Sequence, residues 1–430
     1  MPSHKLLRRT SVLIALLCTV VLTSLGIWLA FSLLQPTPPR SVAMATDPDG
    51  SFNAEVGKRY REILARSGIE LRLVPTAGAV ESLARLKDPK AGISMAIIPG
   101  GITTQRDSPH LVSLGTLFYE PLWFFSSGHL IEKHEELGGL RISIGPEGSA
   151  SRALSTEFLA RVGIINQKSA KLLSLAPNES ALKLLSGEID AAVLLDAWET
   201  PGVQKLLTAQ GVNLADIRRA DAFVALYPYL NKLVLPAGVA DMATNRPPTD
   251  IVLVAPKASL VVRNDLHPAI QYLLLDAASQ IHSGPGVFRT AGQFPASESI
   301  DLPLSGYARQ FYKTGSPFLQ RNLPFWLAVL IQQSLVLLIP IAGVLYPLLR
   351  ISPKVFVWFQ KRRVFKFYSE LKQLEEELAS TGSRKNVKDY IERLDILEDR
   401  AGRLWVPPSL RPVLYDLRSH ISLVRDQCQK

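Results

Sequence analysis

Cysteine is nearly absent: Cys18 and Cys428 are the only two in 430 residues. One falls in an apolar run and the other near the last residue, so they build neither a disulfide framework nor a cysteine-based zinc site. The seven histidines show no H-E-x-x-H spacing, which leaves no pattern for a catalytic metal. The G-x-S-x-G turn that exposes a nucleophilic serine does not occur. Neither does a phosphate-cradling G-x-x-x-x-G-K-[ST] loop, nor a dinucleotide-binding G-x-G-x-x-G. A hydrolase reading through Ser149 or Ser151 therefore finds no histidine-plus-acid partner. No catalytic residue, metal or cofactor is expected, and the chain is not read as an enzyme.

Charge is missing from two long stretches, 11–34 and 325–349. Each exceeds the ~20 residues that a helix needs to cross a bilayer. Lys5, Arg8 and Arg9 precede the first, and Arg350, Lys354, Lys361, Arg362, Arg363 and Lys366 follow the second. By the positive-inside rule both flanks face the cytoplasm, and the middle of the chain lies outside the bacterial inner membrane, in the periplasm. The first run is longer than a signal-peptide core, so an uncleaved anchor is expected. The formal charge is +10, but residues 350–430 hold 17 basic against 11 acidic side chains and residues 1–10 add three more positive charges. The large middle segment is close to neutral. The excess fits membrane topology and anionic lipid, and excludes a nucleic-acid partner.

Between the two runs, short apolar stretches alternate with amphipathic ones. SVAMAT, IELRLVPT and ISMAIIPGG read as strands separated by the helices AEVGKRYREILARSG and AVESLARLK. After LGTLFYEPLWFFSSG the alternation restarts with RISIG, SRALSTEFLARVG, AKLLSLA, NESALKLLSG and EIDAAVLLD. DIVLVAPKASLVVRND is extended again and HPAIQYLLLDAASQI is helical. Two successive α/β sets predict two lobes, the chain crossing near 117–125 and returning near 251–262. Ligands of such sheets bind outside the carboxyl ends of the strands. Five loops thus converge on one cleft.

Those loops carry the candidate residues. GPEGSAS opens a helix and offers free N–H groups, the hydroxyls of Ser149 and Ser151, and Arg152 in the first turn. Such an end stabilises an anion by roughly 0.3–1 kcal/mol when exposed. Equally, Ser149 is a simple helix cap, worth ~1 kcal/mol. TAGAV repeats the logic with Thr76, Ala77 and Gly78, and Gly100 ends a third strand. TDPDGSFNAEV brings Asp47, Asp49 and Ser51. Two acids beside an anion site are unfavourable unless they receive hydrogen bonds or meet a substrate amine; a solvated turn capped by Asp49 or Ser51 is the plain alternative. Tyr119 in the aromatic crossing and Trp198, with Asp196 and Glu199 beside it, are candidates for cleft walls or for packing.

TAGAVESLARL, RISIGPEGSASRALSTEFLARVGI and LKLLSGEIDAAVLLDAWETPGVQKLL resemble, in order, three segments of the TAXI-type solute receptors of TRAP transporters. The likeness spans about 41–281. The ending PFWLAVLIQQSLVLLIPIAGVLYPLLRISPKVFVWFQKRRVFKFYSELKQLEEEL resembles a membrane-anchored branch of that family. The resemblance implies an α/β, two-lobed type II periplasmic-binding-protein fold, flanked by two transmembrane helices and a C-terminal cytoplasmic helical segment. It implies first-lobe contacts from Thr76, Ala77 and Gly78, and second-lobe contacts from Ser149, Ser151 and Arg152. The implied partners are a small organic acid or amino acid, the membrane subunits of the transporter, and lipid. The sequence departs from the family at DPDGSFN, where Gly, Thr, Tyr and Pro are usual, and at Ala77, which replaces a Gly. The acids in the first loop stand against an ordinary dicarboxylate.

The expected organisation is a cytoplasmic stub and anchor at 1–34, lobe I at 41–120 plus 256–324, lobe II at 121–255, a second membrane helix at 325–349 and a cytoplasmic tail at 350–430. In the tail, Phe367, Leu371, Leu374 and Leu378 form a helical stripe, and two more helices follow. The favoured function is a membrane-tethered solute receptor. The alternative is a sensory or scaffold protein whose outer lobes signal to the cytoplasmic helices.

Overall fold

The structure is a computed structural model and describes residues 21, 24, 28, 37–128, 138–161, 170–380 and 387–429. The chain divides into two compact units, Pro36–Leu330 and Met1–Gln35 with Ile331–Lys430. The first apolar run lies outside the described residues apart from Val21, Ser24 and Trp28. Among the described residues no helix is long and apolar enough to cross a membrane.

The Pro36–Leu330 unit is a mixed α/β structure built on two sheets. Its first sheet contains β1 (Ser41–Thr46), β2 (Glu70–Pro75), β3 (Met95–Pro99), β4 (Leu111–Tyr119), β10 (Leu230–Leu235) and β11 (Ile251–Arg263). The order β10-β11-β3-β1-β2, with β4 also on β11, joins parallel βαβ units to antiparallel returning strands. Alternation along each strand sends side chains to two cores. Val42, Met44, Met95 and Ile97 face Tyr60 and Leu64 of helix α1 (Phe52–Arg66) and the apolar side of α7 (Pro268–His282). Ala43, Ala45, Ala96 and Ile98 face Leu83 and Leu86 of α2 (Ala79–Lys87).

The second sheet, β7 (Lys171–Leu173), β6 (Arg141–Ser143), β8 (Ala191–Leu195), β5 (Leu122–Ser127) and β9 (Val212–Leu214), runs in that order. It repeats the two-sided scheme. Leu122, Phe124, Ile142 and Val193 pack with Leu159 of α3 (Ala150–Arg161) and Phe223 of α6 (Ala220–Leu226). Trp123, Phe125, Ala192 and Leu194 pack with Leu184 of α4 (Pro177–Leu185) and Val203 and Leu206 of α5 (Pro201–Thr208). Strand β11 serves both sheets. Its first residues Ile251, Leu253 and Val254 enter the second-sheet cores, while Leu260, Val261 and Val262 enter the first. At the switch, Glu120 N–H donates to Pro256 C=O at 3.0 Å. The two crossing strands are thus tied to each other where the chain changes lobe. Helices α8 (Gly306–Thr314) and α9 (Phe318–Asn322) close the unit.

The apolar run at 325–349 and the start of the tail form one continuous helix, α10 (Phe325–Ser380), with no break at 349. Helices α11 (Val387–Gly402) and α12 (Arg411–Gln429) follow. Leu371 of the expected stripe packs with Leu394, Leu397, Leu417 and Ile421, so the tail has a small core of its own. Arg425 pairs with Glu398 at 2.7 Å across α11 and α12.

Candidate functional site

A cleft enclosing roughly 770 Å³ of non-atom space opens between the two sheets. It is lined by the loop after β1, the turn before α2, the start of α3, the start of α4 and the turn after β8, with Glu120 from the crossing segment. Of the expected residues, Asp47, Ser51, Ala77, Gly78, Ser149 and Ser151 line it. Thr76, Gly100, Tyr119, Arg152 and Trp198 do not.

Each of those five has other work. Thr76 Oγ1 is buried in the turn, where it lies 2.8 Å from Ser82 Oγ and accepts from Gly78 N–H at 3.2 Å. Gly100 lies under Tyr229, whose Cβ would stand 3.2 Å from an added methyl. Tyr119 packs edge-on against Phe294 at 5.3 Å, with Lys257 Nζ over its ring. The Arg152 guanidinium turns outward and donates to Ser174 Oγ at 2.6 Å. Trp198 joins Trp123 and Phe288 in a packed aromatic group, at 6.2 and 6.3 Å.

The two helix ends that suggested anion binding are engaged internally. Ser149 Oγ accepts from Arg152 N–H at 3.1 Å and donates to Pro146 C=O at 2.7 Å, so it caps α3. Ser151 Oγ donates to Val193 C=O at 3.2 Å. At α2 the amides of Val80 and Glu81 donate across the cleft to Gly148 C=O at 3.0 and 3.2 Å. Ala77 N–H is held by the Glu81 carboxylate at 2.7 Å. Most donors of TAGAV are therefore spent on joining the lobes and shaping the turn. The fit is close: a Cβ on Gly78, whose φ is +147°, would stand 2.6 Å from Ser149 Cα. Only glycine allows that approach.

What the cleft offers instead is acceptors. Asp47, Glu120 and Asp196 line it, with the exposed Asp49, and no lysine, arginine or histidine stands among the lining residues. Asn53, in the first turn of α1, donates through Nδ2 to Asp47 Oδ2 at 2.8 Å and to Glu120 Oε1 at 3.3 Å. Its own Oδ1 has no partner, although the residue is only 7% exposed. The Thr200 side chain, on a residue 1% exposed, hydrogen-bonds Asp196 and opposes its rise. Ala197 N–H donates to Asp196 Oδ1 at 2.9 Å. Enclosure raises all three acids, because a carboxylate loses solvation there. Asp47 rises above its ordinary value with the Asn53 amide opposing. Asp196 is pushed up to about 7. Glu120 goes well above the usual range, with Asp47 and Asp196 adding repulsion.

Sequence reading places Asp196 in one of the five cleft loops and beside Trp198 without singling it out, and passes over Glu120, Asn53 and Thr200. The available signal was position: Glu120 and Asp196 each follow a strand end directly. Alternation places Tyr119 and Glu120 on opposite sides, so the acid faces the cleft and the aromatic ring faces the core.

The sequence profile of the NMT1-like family matches residues 53–314. No curated protein matches the chain. Among solved structures, the periplasmic aliphatic sulphonate binding protein SsuA of Escherichia coli aligns at 14% identity over 71% of this chain and 83% of its own, with a TM-score of 0.35. PhnD1 of Prochlorococcus marinus, in complex with methylphosphonate, aligns at 13% identity over 60% of this chain and 94% of its own, with a TM-score of 0.39. An ATP-bound protein of Xanthomonas citri aligns at 15% identity over 66% and 98%, with a TM-score of 0.38. The family match covers more than half of the sequence, and the protein belongs to the NMT1-like family.

Proposed function

We propose that this chain is a membrane-tethered, extracytoplasmic solute receptor, not an enzyme, that captures a small organic acid or amino acid between its lobes for a TRAP-type (TAXI) importer. The runs at 11–34 and 325–349 would hold it at the inner membrane, with both ends cytoplasmic and the two-sheet unit periplasmic. Tethering keeps the loaded receptor at high local concentration beside the membrane subunits. The carrying observation is the interlobe cleft itself, bridged by a pair of hydrogen bonds from Val80 and Glu81 to Gly148. Of the two solute classes, the acidic lining supports an amino acid over a dicarboxylate.

Opening can be tested without knowing the solute. A Cβ on Gly148 would lie 3.5 Å from Ala77 Cβ, within the ~3.5–4.5 Å that a disulfide spans. With Cys18 and Cys428 first replaced by Ser, the pair Ala77→Cys and Gly148→Cys is expected to oxidise and lock the lobes. Hydrogen exchange of the Val80 and Glu81 amides should then slow by about tenfold or more relative to the reduced form. Equal rates in oxidised and reduced protein would show a cleft that does not open, and would leave the receptor reading without support.

A further inference from the structure

Beside the exposed Asp49, three less exposed carboxylates and one orphaned oxygen acceptor share the cleft, and no lysine, arginine or histidine stands among its described lining residues. An ionised carboxylate removed from water is strongly penalised unless paired, and breaking such a pair costs more than never forming it. Buried polar atoms without partners are rare in folded proteins and call for an explanation. Asn53 Oδ1 is such an atom, and Asn53 borders the cleft. Part of the opposite chemistry is already engaged: the amides of Ala77, Gly78, Val80 and Glu81 and the hydroxyls of Ser149 and Ser151 have partners inside the protein. An anionic group arriving in this cleft would meet repulsion from the acids.

We propose that the interlobe cleft binds its solute through a protonated primary amine, seated among Asp47, Glu120 and Asp196, with Asn53 Oδ1 accepting one of its hydrogens. This rests on the receptor reading and narrows it. The cation is organic: among the described residues no group of three or more His, Cys, Asp or Glu is arranged to hold a metal ion. It carries N–H donors: no aromatic ring lines the cleft, so the cage that recognises quaternary ammonium is missing. A primary ammonium has three donors and no acceptor, which matches a wall made of acceptors. The raised titration of the acids fits the same picture, since a bound cation draws them back to the ionised state.

The test measures thermal unfolding of the full chain with four probes at equal concentration near pH 8: n-propylamine, L-alanine, tetramethylammonium and succinate. The amine and the amino acid separate a site needing only the ammonium from one that also accepts a carboxylate. Either or both should raise the melting temperature, while tetramethylammonium and succinate should not. Calorimetric titration of the active probe should then show roughly 10- to 100-fold weaker binding in Glu120→Gln and in Asp196→Asn. The second variant removes an unfavourable buried charge, so loss of folding is not expected to confuse the result. Succinate raising the melting temperature while both amines leave it unchanged would overturn the amine assignment, yet keep the receptor reading. Undiminished binding in both variants would overturn it too. Silence from all four probes also counts against it, and the disulfide lock then decides separately whether the cleft opens at all.

Discussion

Replacing Asp196 by Asn stabilises the ligand-free protein at pH 8 and leaves it almost unchanged at pH 4. Enclosure lifts the Asp196 carboxyl from 3.8 to about 7 in the folded chain. Between those values the folded state holds a proton that the unfolded state has released. Unfolding free energy therefore falls as pH rises through this window, and stays reduced above it. A shift of this size corresponds to roughly 4 kcal/mol if the group is fully enclosed; since Asp196 keeps some solvent contact, roughly 2–4 kcal/mol is expected. Asn cannot ionise and removes the penalty. The melting temperature of the variant should exceed that of the parent by about 5 °C or more at pH 8, and the difference should vanish toward pH 4. Glu120, Asp47 and Glu199 share the field around Asp196. Their own repulsion falls in the variant, which acts in the same direction. A difference independent of pH, or a destabilised variant at pH 8, would mean that Asp196 is not the buried charge described here.

Trp123→Ala should lower the unfolding free energy of the two-sheet unit by about 3–5 kcal/mol, read from the urea midpoint at unchanged slope. Trp123 is fully buried. Its ring stacks on Phe125 at 6.2 Å and tilts against Phe288 at 6.1 Å. Its indole N–H donates to the Asp196 carbonyl at 2.9 Å. Truncation leaves a large void in the second lobe and a carbonyl without a partner, directly behind a cleft carboxylate. Trp123→Phe keeps an aromatic ring but loses the donor together with part of the indole's volume. The lost donor accounts for about 1–3 kcal/mol of its cost. An alanine variant within 1 kcal/mol of the parent would contradict the packing described, by the ~3 kcal/mol floor for such truncations.

Much of this architecture is legible along the chain. Continuous apolar runs such as MAIIP and AAVLL become strands buried on both faces, and Ser51 caps α1 as its position in DPDGSFN suggests. Strand ends do converge on a cleft. The chemistry of that cleft is less legible, for a physical reason. GPEGSAS and TAGAV each look like anion sites when read alone, because a helix start always leaves open amides. Their partners come from the opposite lobe: Gly148 C=O reaches Val80 and Glu81 only after the chain has crossed over. Glu120 and Asn53 meet across 67 residues, a separation that no local pattern encodes. Tyr119 beside Glu120, and Trp198 near Asp196, show the same limit at single-residue scale. The conspicuous aromatic side chain belongs to the packing, and the plain acid beside it faces the solute space. The acids of the first loop did carry a legible clue, since Asp47 needed either a hydrogen bond or an amine, and it has the first in Asn53.

The most direct measurement is a crystal structure of the chain with whichever of the two amines gives the larger thermal shift. The expected result is a nitrogen between the two sheets, within about 2.7–3.2 Å of oxygens from at least two of Asp47, Glu120 and Asp196, with Asn53 Oδ1 newly occupied. Density for the amine outside the cleft, or inside it with the nitrogen turned away from all three acids, would contradict the account.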